Sequence, residues 1–224
     1  MTISRISSAT NNGTGVTLPT HAENDLIIIG GYRDGSATAP ALPAGWYGLY
    51  VSPTSAPSMV IGWKRATSST EQSGTWTNAN TLHATVYRPA ANKLIIPIFL
   101  NMTFGSSSAT PNFGAQTAGT FPTNIDDYWI FGFMGQRNSG NALETKTFTG
   151  LTNVSSSTDG AGWQVIVNDS NATQTTAWTS QSASVTTAAA VRSVVLGLWE
   201  VPQQSASGSG GIFFRPGMAG GMSE

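Results

Sequence analysis

The sequence predicts an all-β protein, and three observations carry that expectation. Its apolar runs are short and rich in β-branched or aromatic residues, as in LIIIGGY from Leu26 and YWIFGFM from Tyr128. Clusters of Gly, Pro, Asn and Ser bound each run, which is the punctuation of strands and turns. No long segment places apolar residues at the i, i+3, i+4, i+7 spacing of an amphipathic helix.

Element by element, a Gly/Thr-rich lead ends in Pro19-Thr20, and Asp25 opens a buried strand. Asn24-Asp25 stands where short polar side chains cap a turn. A strand carrying Trp63 follows, then a Thr-rich stretch with Trp76, then a closing strand ending at Tyr87. The run LIIPIFLN from Leu94 opens the second half. Pro97 has no N–H for a ladder bond, which predicts an edge strand or a bulge there. Ala188–Val195 reads as a strand because Val191, Val194 and Val195 are β-branched and lead into Leu196–Val201.

The second half echoes the first. SSAT occurs at Ser7–Thr10 and at Ser107–Thr110. Pro19-Thr20 answers Pro122-Thr123, Asp25 answers Asp127, Trp63 answers Trp163, Trp76 answers Trp178, and Tyr87 answers Trp199, always in the same order. Such ordered matches predict an internal duplication. The expectation is two tandem β-sandwich modules, jelly-roll or immunoglobulin-like, at residues 1–90 and 91–201. Ile27, Ile29, Tyr32, Trp63 and Val86 would fill the first core. Trp129, Phe131, Phe133, Val165, Val167 and Leu198 would fill the second. Residues 202–224 form a Gly/Ser-rich C-terminal arm, with PQQSASGSGG reading as a linker.

Composition excludes several functions. Charged residues are 9% of the 224 and net charge is −1, with Lys and Arg scattered singly. Nucleic acid would require a basic patch that displaces counterions, so no nucleic-acid partner is expected. No apolar run reaches the roughly 18 residues of a spanning helix, and MTISRISSATNNG lacks the apolar centre of a secretory signal. There is no Cys, so disulfides and thiolate metal sites are out.

Chemistry-bearing residues are sparse. Of the two His, His21 sits in the turn PTHAEND beside Glu23 and Asp25. That trio could contact a metal but reads as solvated turn groups. His83, in TLHATVY, reads as a strand-surface residue. The acids Glu71, Asp126, Asp127, Glu144, Asp159 and Asp169 are few and lie mostly in Ser/Thr/Gly loops, not paired as glycoside hydrolysis requires. Asp159 and Asp169 could contribute to a loop Ca²⁺ site, but no EF-hand spacing is present. No catalytic, cofactor or metal residue is assigned, and no enzyme is expected.

Binding is the better supported expectation. Trp46, in LPAGWYGLY, has no counterpart in the second half, which makes it the candidate for stacking on a glycan. Ile212, Phe213 and Phe214, followed by Arg215 and Pro216, form an apolar knot within the Gly-rich arm. Left in water such a knot is a liability, and docking on a neighbouring subunit resolves it.

The stretches DLIIIGGYRDGSATAPALPAGW and IGWKRATSSTEQSGTWTNANTLHATVYRP resemble modules of virion structural proteins of tailed bacteriophages, among them minor tail, neck and capsid-associated proteins. The resemblance covers chiefly Asp25–Pro89, and LPAGW is lost from the second half. Its motifs are turn and core features. It implies a non-enzymatic virion component, a capsid decoration or minor tail protein, whose partners are other virion proteins and copies of itself. A carbohydrate- or host-receptor-binding module of the virion is the alternative.

Overall fold

A computed structural model describes residues 3–52, 55–108, 112–114, 128–137, 148, 150–158, 163–172, 181–182 and 189–203. Every regular element among them is a strand. The first half contributes β1 (Ser4–Asn11), β2 (Leu26–Arg33), β3 (Tyr47–Val51), β4 (Ser58–Arg65) and β5 (Thr81–Arg88). They form one antiparallel sheet in the order β1-β5-β2-β4-β3. The second half contributes β6 (Lys93–Ser108), β8 (Trp129–Arg137), β9 (Thr152–Thr158), β10 (Trp163–Asp169) and β12 (Ala189–Pro202). Their order is β6-β12-β8-β10-β9. Taken strand for strand, the two sheets have the same topology. A short ribbon pairs β7 (Asn112–Phe113) with β11 (Gln181–Ser182).

The two sheets lie face to face and share one core. Leu26, Ile28, Tyr32, Met59, Ile61 and Tyr87 from the first sheet pack with Phe131, Phe133, Val165, Val167, Val194 and Leu196 from the second. The expectation of two self-contained sandwiches is therefore corrected: each half supplies one sheet of a single sandwich. The jelly-roll and immunoglobulin-like alternatives fall with it. An immunoglobulin-like sandwich passes strands between its sheets, whereas this chain completes one sheet before it starts the other.

Both faces of the central strands β2, β5, β8 and β10 are covered, which explains their nearly unbroken apolar runs. On the outer face of the first sheet, Ile27, Ile29, Val60, Leu82 and Val86 pack with loop residues Val16, Trp46, Trp76 and Ala79. On the outer face of the second, Ile130, Met134, Ile166 and Val195 pack with Phe113, Phe148 and Leu151. Ile27, Ile29 and Val86, expected in the inner core, belong instead to this outer layer. The even-numbered neighbours Leu26, Ile28 and Tyr32 take the inner positions, because alternation cannot name the inner face of a strand buried on both sides. All of Trp129, Phe131, Phe133, Val165, Val167 and Leu198 are in the shared core.

The sequence echo and the structural repeat differ in register. Trp63 pairs with Ile28 near the start of β2, whereas Trp163 pairs with Arg137 at the end of β8. Leu26 pairs with Tyr87 and Trp129 with Leu198, so Leu198, not Trp199, is the counterpart of Tyr87. A one-residue slip moves a side chain to the other face, and Trp199 is accordingly outside the shared core. The SSAT echo also fails. Ser8 pairs with Thr85, close to Tyr87, whereas its echo Ser108 pairs with Ala189, far from Leu198.

Candidate interaction surface

Three apolar side chains of β6 lie on the inner face of the second sheet yet remain in solvent. Phe99, Met102 and Phe104 are paired with Leu196, Val194 and Arg192. Paired residues share a face, so all three look toward the first sheet. They are 40%, 37% and 41% exposed. The opposing sheet ends in the short strand β3, which covers them only in part. Tyr50 of β3 stacks on Phe99 with ring centroids 5.8 Å apart and planes 3° from parallel. Tyr47, also exposed, lies 5.1 Å from the ring of Trp63. The result is an aromatic lip where the terminal strands β3 and β6 meet.

Arg192 fixes the geometry of this lip. It is 1% exposed and extends from β12 to the first sheet. Its Nε donates to the Pro57 carbonyl at 2.9 Å, its Nη1 to the Tyr50 hydroxyl at 3.2 Å, and its Nη2 to the Ser55 carbonyl at 3.2 Å and hydroxyl at 2.6 Å. The guanidinium carbon lies 4.5 Å from the Phe104 ring centroid. Several fixed donors suit guanidinium better than ammonium, and together they clamp the β3–β4 connection to the second sheet.

Among the described residues this edge is only partly protected: the Met102 N–H donates to the Asn101 Oδ1 at 2.7 Å. Exposed edges are commonly blunted by charge, proline or bulges. β6 has Pro97 and a register shift between Val195 and Leu196 of its partner, so the proline is on an edge strand with a bulge, as its missing N–H requires. Beyond that point, Asn101–Gly105 has no charge and no proline. At the other rim, β1 carries Arg5 and a bulge, and β9 reads TNVSSST.

Polar chemistry lies inside the sandwich. His83 is fully buried, against expectation, because β9 of the second sheet covers that end of β5. Its Nδ1 is 2.9 Å from the Ser155 hydroxyl and its Nε2 is 2.7 Å from that of Ser157. Burial pushes the imidazole down to about 3. So weak a base is unsuited to activate a serine near neutral pH. Asp169, also buried, accepts from Arg5 Nη1 at 2.6 Å and from the Tyr87 hydroxyl at 3.0 Å. Burial raises its carboxyl above the ordinary range, with Arg5 pulling the other way. Asp169 thus ties the two sheets together.

The turn at residues 19–25 is also structural. Nδ1 of His21 donates to the Pro19 carbonyl at 2.6 Å, and Nε2 accepts from the Glu71 N–H at 3.1 Å. Asp25 is 1% exposed and caps the turn by accepting from Ala22 N–H at 2.8 Å. Arg88 donates to both of its oxygens, at 2.8 and 2.7 Å. His21 and Asp25 are thus engaged in protein contacts and are not solvated turn groups. Among the described residues, no three His or acidic side chains cluster as metal ligands.

Trp46 does not present a stacking face. It is 8% exposed in the outer layer of the first sheet, edge-on to Trp76 at 5.2 Å, with Lys64 Nζ 5.7 Å from its ring centroid. Ile212, Phe213, Phe214, Arg215 and Pro216 lie outside the described residues, as do Asp126, Asp127, Glu144, Asp159 and Trp178. Sequence reasoning missed Tyr47, Phe99, Met102 and Phe104. A usable signal was present: Met102 and Phe104 alternate with Asn101 and Thr103 just after the edge marker Pro97. In comparisons with known proteins, the chain matches no family model, no curated protein and no solved structure.

Proposed function

We propose that this chain is a non-enzymatic structural subunit of a tailed-phage virion, a capsid decoration or minor tail protein, that assembles through the β3–β6 lip. The observation that supports this reading is the lip itself: an exposed apolar surface on a terminal strand, with Tyr50 and Phe104 held by Arg192. Large apolar patches on otherwise polar surfaces mark interaction sites, and the exposed side chains of this one, Tyr47, Phe99, Met102 and Phe104, carry no charge. The sequence resemblance of Asp25–Pro89 to virion structural proteins supplies the particle. The partners are other virion proteins and copies of the same chain. The congruent strand orders fit an internal duplication as the origin of the two sheets.

Quantitative peptide mass spectrometry of gradient-purified particles tests the reading. The expected result is this chain in fixed ratio to the shell protein. A high ratio assigns it to the capsid and a low one to the tail. Its absence from particles overturns the proposal.

A second reading, a glycan-binding module, is carried by Tyr47 and not by Trp46. Tyr47 is 51% exposed and backed by the Trp63 ring, a platform on which a sugar ring could stack. Loss of glycan-array binding in Tyr47→Ala with unchanged assembly would favour it.

A further inference from the structure

We propose that the lip is the receptor for the segment Ile212–Pro216 of a neighbouring copy, so that subunits are joined by exchanged arms. The inference rests on the assembly reading above and names its contact.

The lip needs an apolar, strand-competent occupant. Phe99, Met102 and Phe104 stand along one face of β6, with Tyr50 opposite Phe99. An extended peptide added at a sheet edge gains main-chain hydrogen bonds there and places alternate side chains on one face. Ile212-Phe213-Phe214 supplies apolar residues on both faces of such a strand. Arg215-Pro216 follows it, and proline ends ladder pairing. Arg192, the cation beside Phe104, is buried and donates to Pro57, Tyr50 and Ser55.

Chain length selects the neighbouring copy over the chain's own lip. The described chain ends at Gln203, whose N–H donates to the Asn92 carbonyl at 2.8 Å, just before β6 begins. Met102, the middle of the lip, is about 30 Å further along β6 at strand rise. Residues 204–211 separate Gln203 from Ile212, and a Ser/Gly-rich sequence of that length spans on average about 16 Å. The arm would have to reverse direction, cross β6 and then run almost fully stretched to cover its own lip. From an adjacent subunit no such reversal is imposed.

The test uses full-length protein in which Phe213→Asp and Phe214→Asp disable the arm, together with a labelled peptide of residues 209–218. Fluorescence anisotropy should show saturable binding of the peptide. Binding should weaken at least tenfold when Met102→Asp is added to the receptor, with its melting temperature essentially retained. Sedimentation equilibrium should show the wild-type chain associating with concentration and the arm-disabled chain monomeric. Equal peptide binding with and without Met102→Asp, or none to either, overturns the proposal. A wild-type chain that stays monomeric while the peptide binds the arm-disabled receptor would mean self-docking. Oligomers that persist in the arm-disabled chain would mean that lip pairs with lip. Either of these also overturns arm exchange. Failure of the virion reading shows separately, as absence of the chain from particles with arm affinity intact.

Discussion

The ring of Tyr32 lies directly over Gly135, and at the neighbouring position the ring of Phe133 lies over Gly30. A Cβ at either glycine would occupy ring atoms of the opposing residue. The pairing Leu26–Tyr87 in one sheet corresponds to Trp129–Leu198 in the other. Stepping along β2 and β8 from there, Gly30 corresponds to Phe133 and Tyr32 to Gly135. At equivalent places, then, one sheet has the ring and the other the space for it. This reciprocity is what allows two sheets of the same topology to close on each other. Gly30→Ala and Gly135→Ala should each destabilise the fold by about 1–3 kcal/mol, the usual cost of overpacking. Chemical denaturation should show this as one cooperative transition at lower midpoint. A variant that unfolds in two steps would instead indicate separable sheets.

His83 should make the sandwich sensitive to acid. Its ordinary value is 6.5 and its folded value about 3, so the unfolded chain takes up a proton that the folded chain refuses. The contribution of His83 to stability is present in full well above 6.5 and should be lost progressively as pH falls from there toward 3. Glu71, held down to about 2 by the Lys64 hydrogen bond and then by Thr67, adds to the loss below its ordinary 4.5. Asp169, raised by burial, works in the opposite sense and gains from acid. Urea midpoints measured from pH 7 to pH 4 should drop steeply in the wild type and much less in His83→Gln.

Asp169 joins β10 to Arg5 of β1 and Tyr87 of β5. Arg5→Met should leave a buried carboxylate with weaker support and cost about 3–5 kcal/mol near neutral pH, as broken buried pairs do. Because the loss concerns the charged form, it should shrink as pH falls and the carboxyl is protonated. A cost independent of pH would mean that Arg5 acts by packing alone.

Trp46→Ala should lower stability by about 3–5 kcal/mol, the range for a deleted core aromatic. Its ring is buried against Trp76, so thermal denaturation is the readout. Tyr47→Ala, at a half-exposed position, should change the melting temperature little.

The all-β character and the position of most strands were legible in the sequence, because turn residues and β-branched runs are local signals. The sheet-to-sheet closure was not. Ile27 and Ile28 look equally fit for the inner face, and only the partner sheet decides between them. Trp63 and Trp163 resembled each other in sequence spacing, yet hydrogen-bond register places them at opposite ends of their strands. His83 looked like a surface residue because nothing in TLHATVY reveals that β9, distant in sequence, covers it. The lip was written in the alternation of Met102 and Phe104, but its significance depends on how short β3 is.

Hydrogen exchange of residues 101–105 addresses the lip most directly. It should be followed by mass spectrometry in the assembled wild-type protein and in the monomeric Phe213→Asp/Phe214→Asp variant. If β6 is the strand that receives a partner, these amides should be protected severalfold or more in the assembly relative to the monomer, while β2 and β8 exchange alike in both. Equal exchange of residues 101–105 in the two states would contradict an interface at this edge.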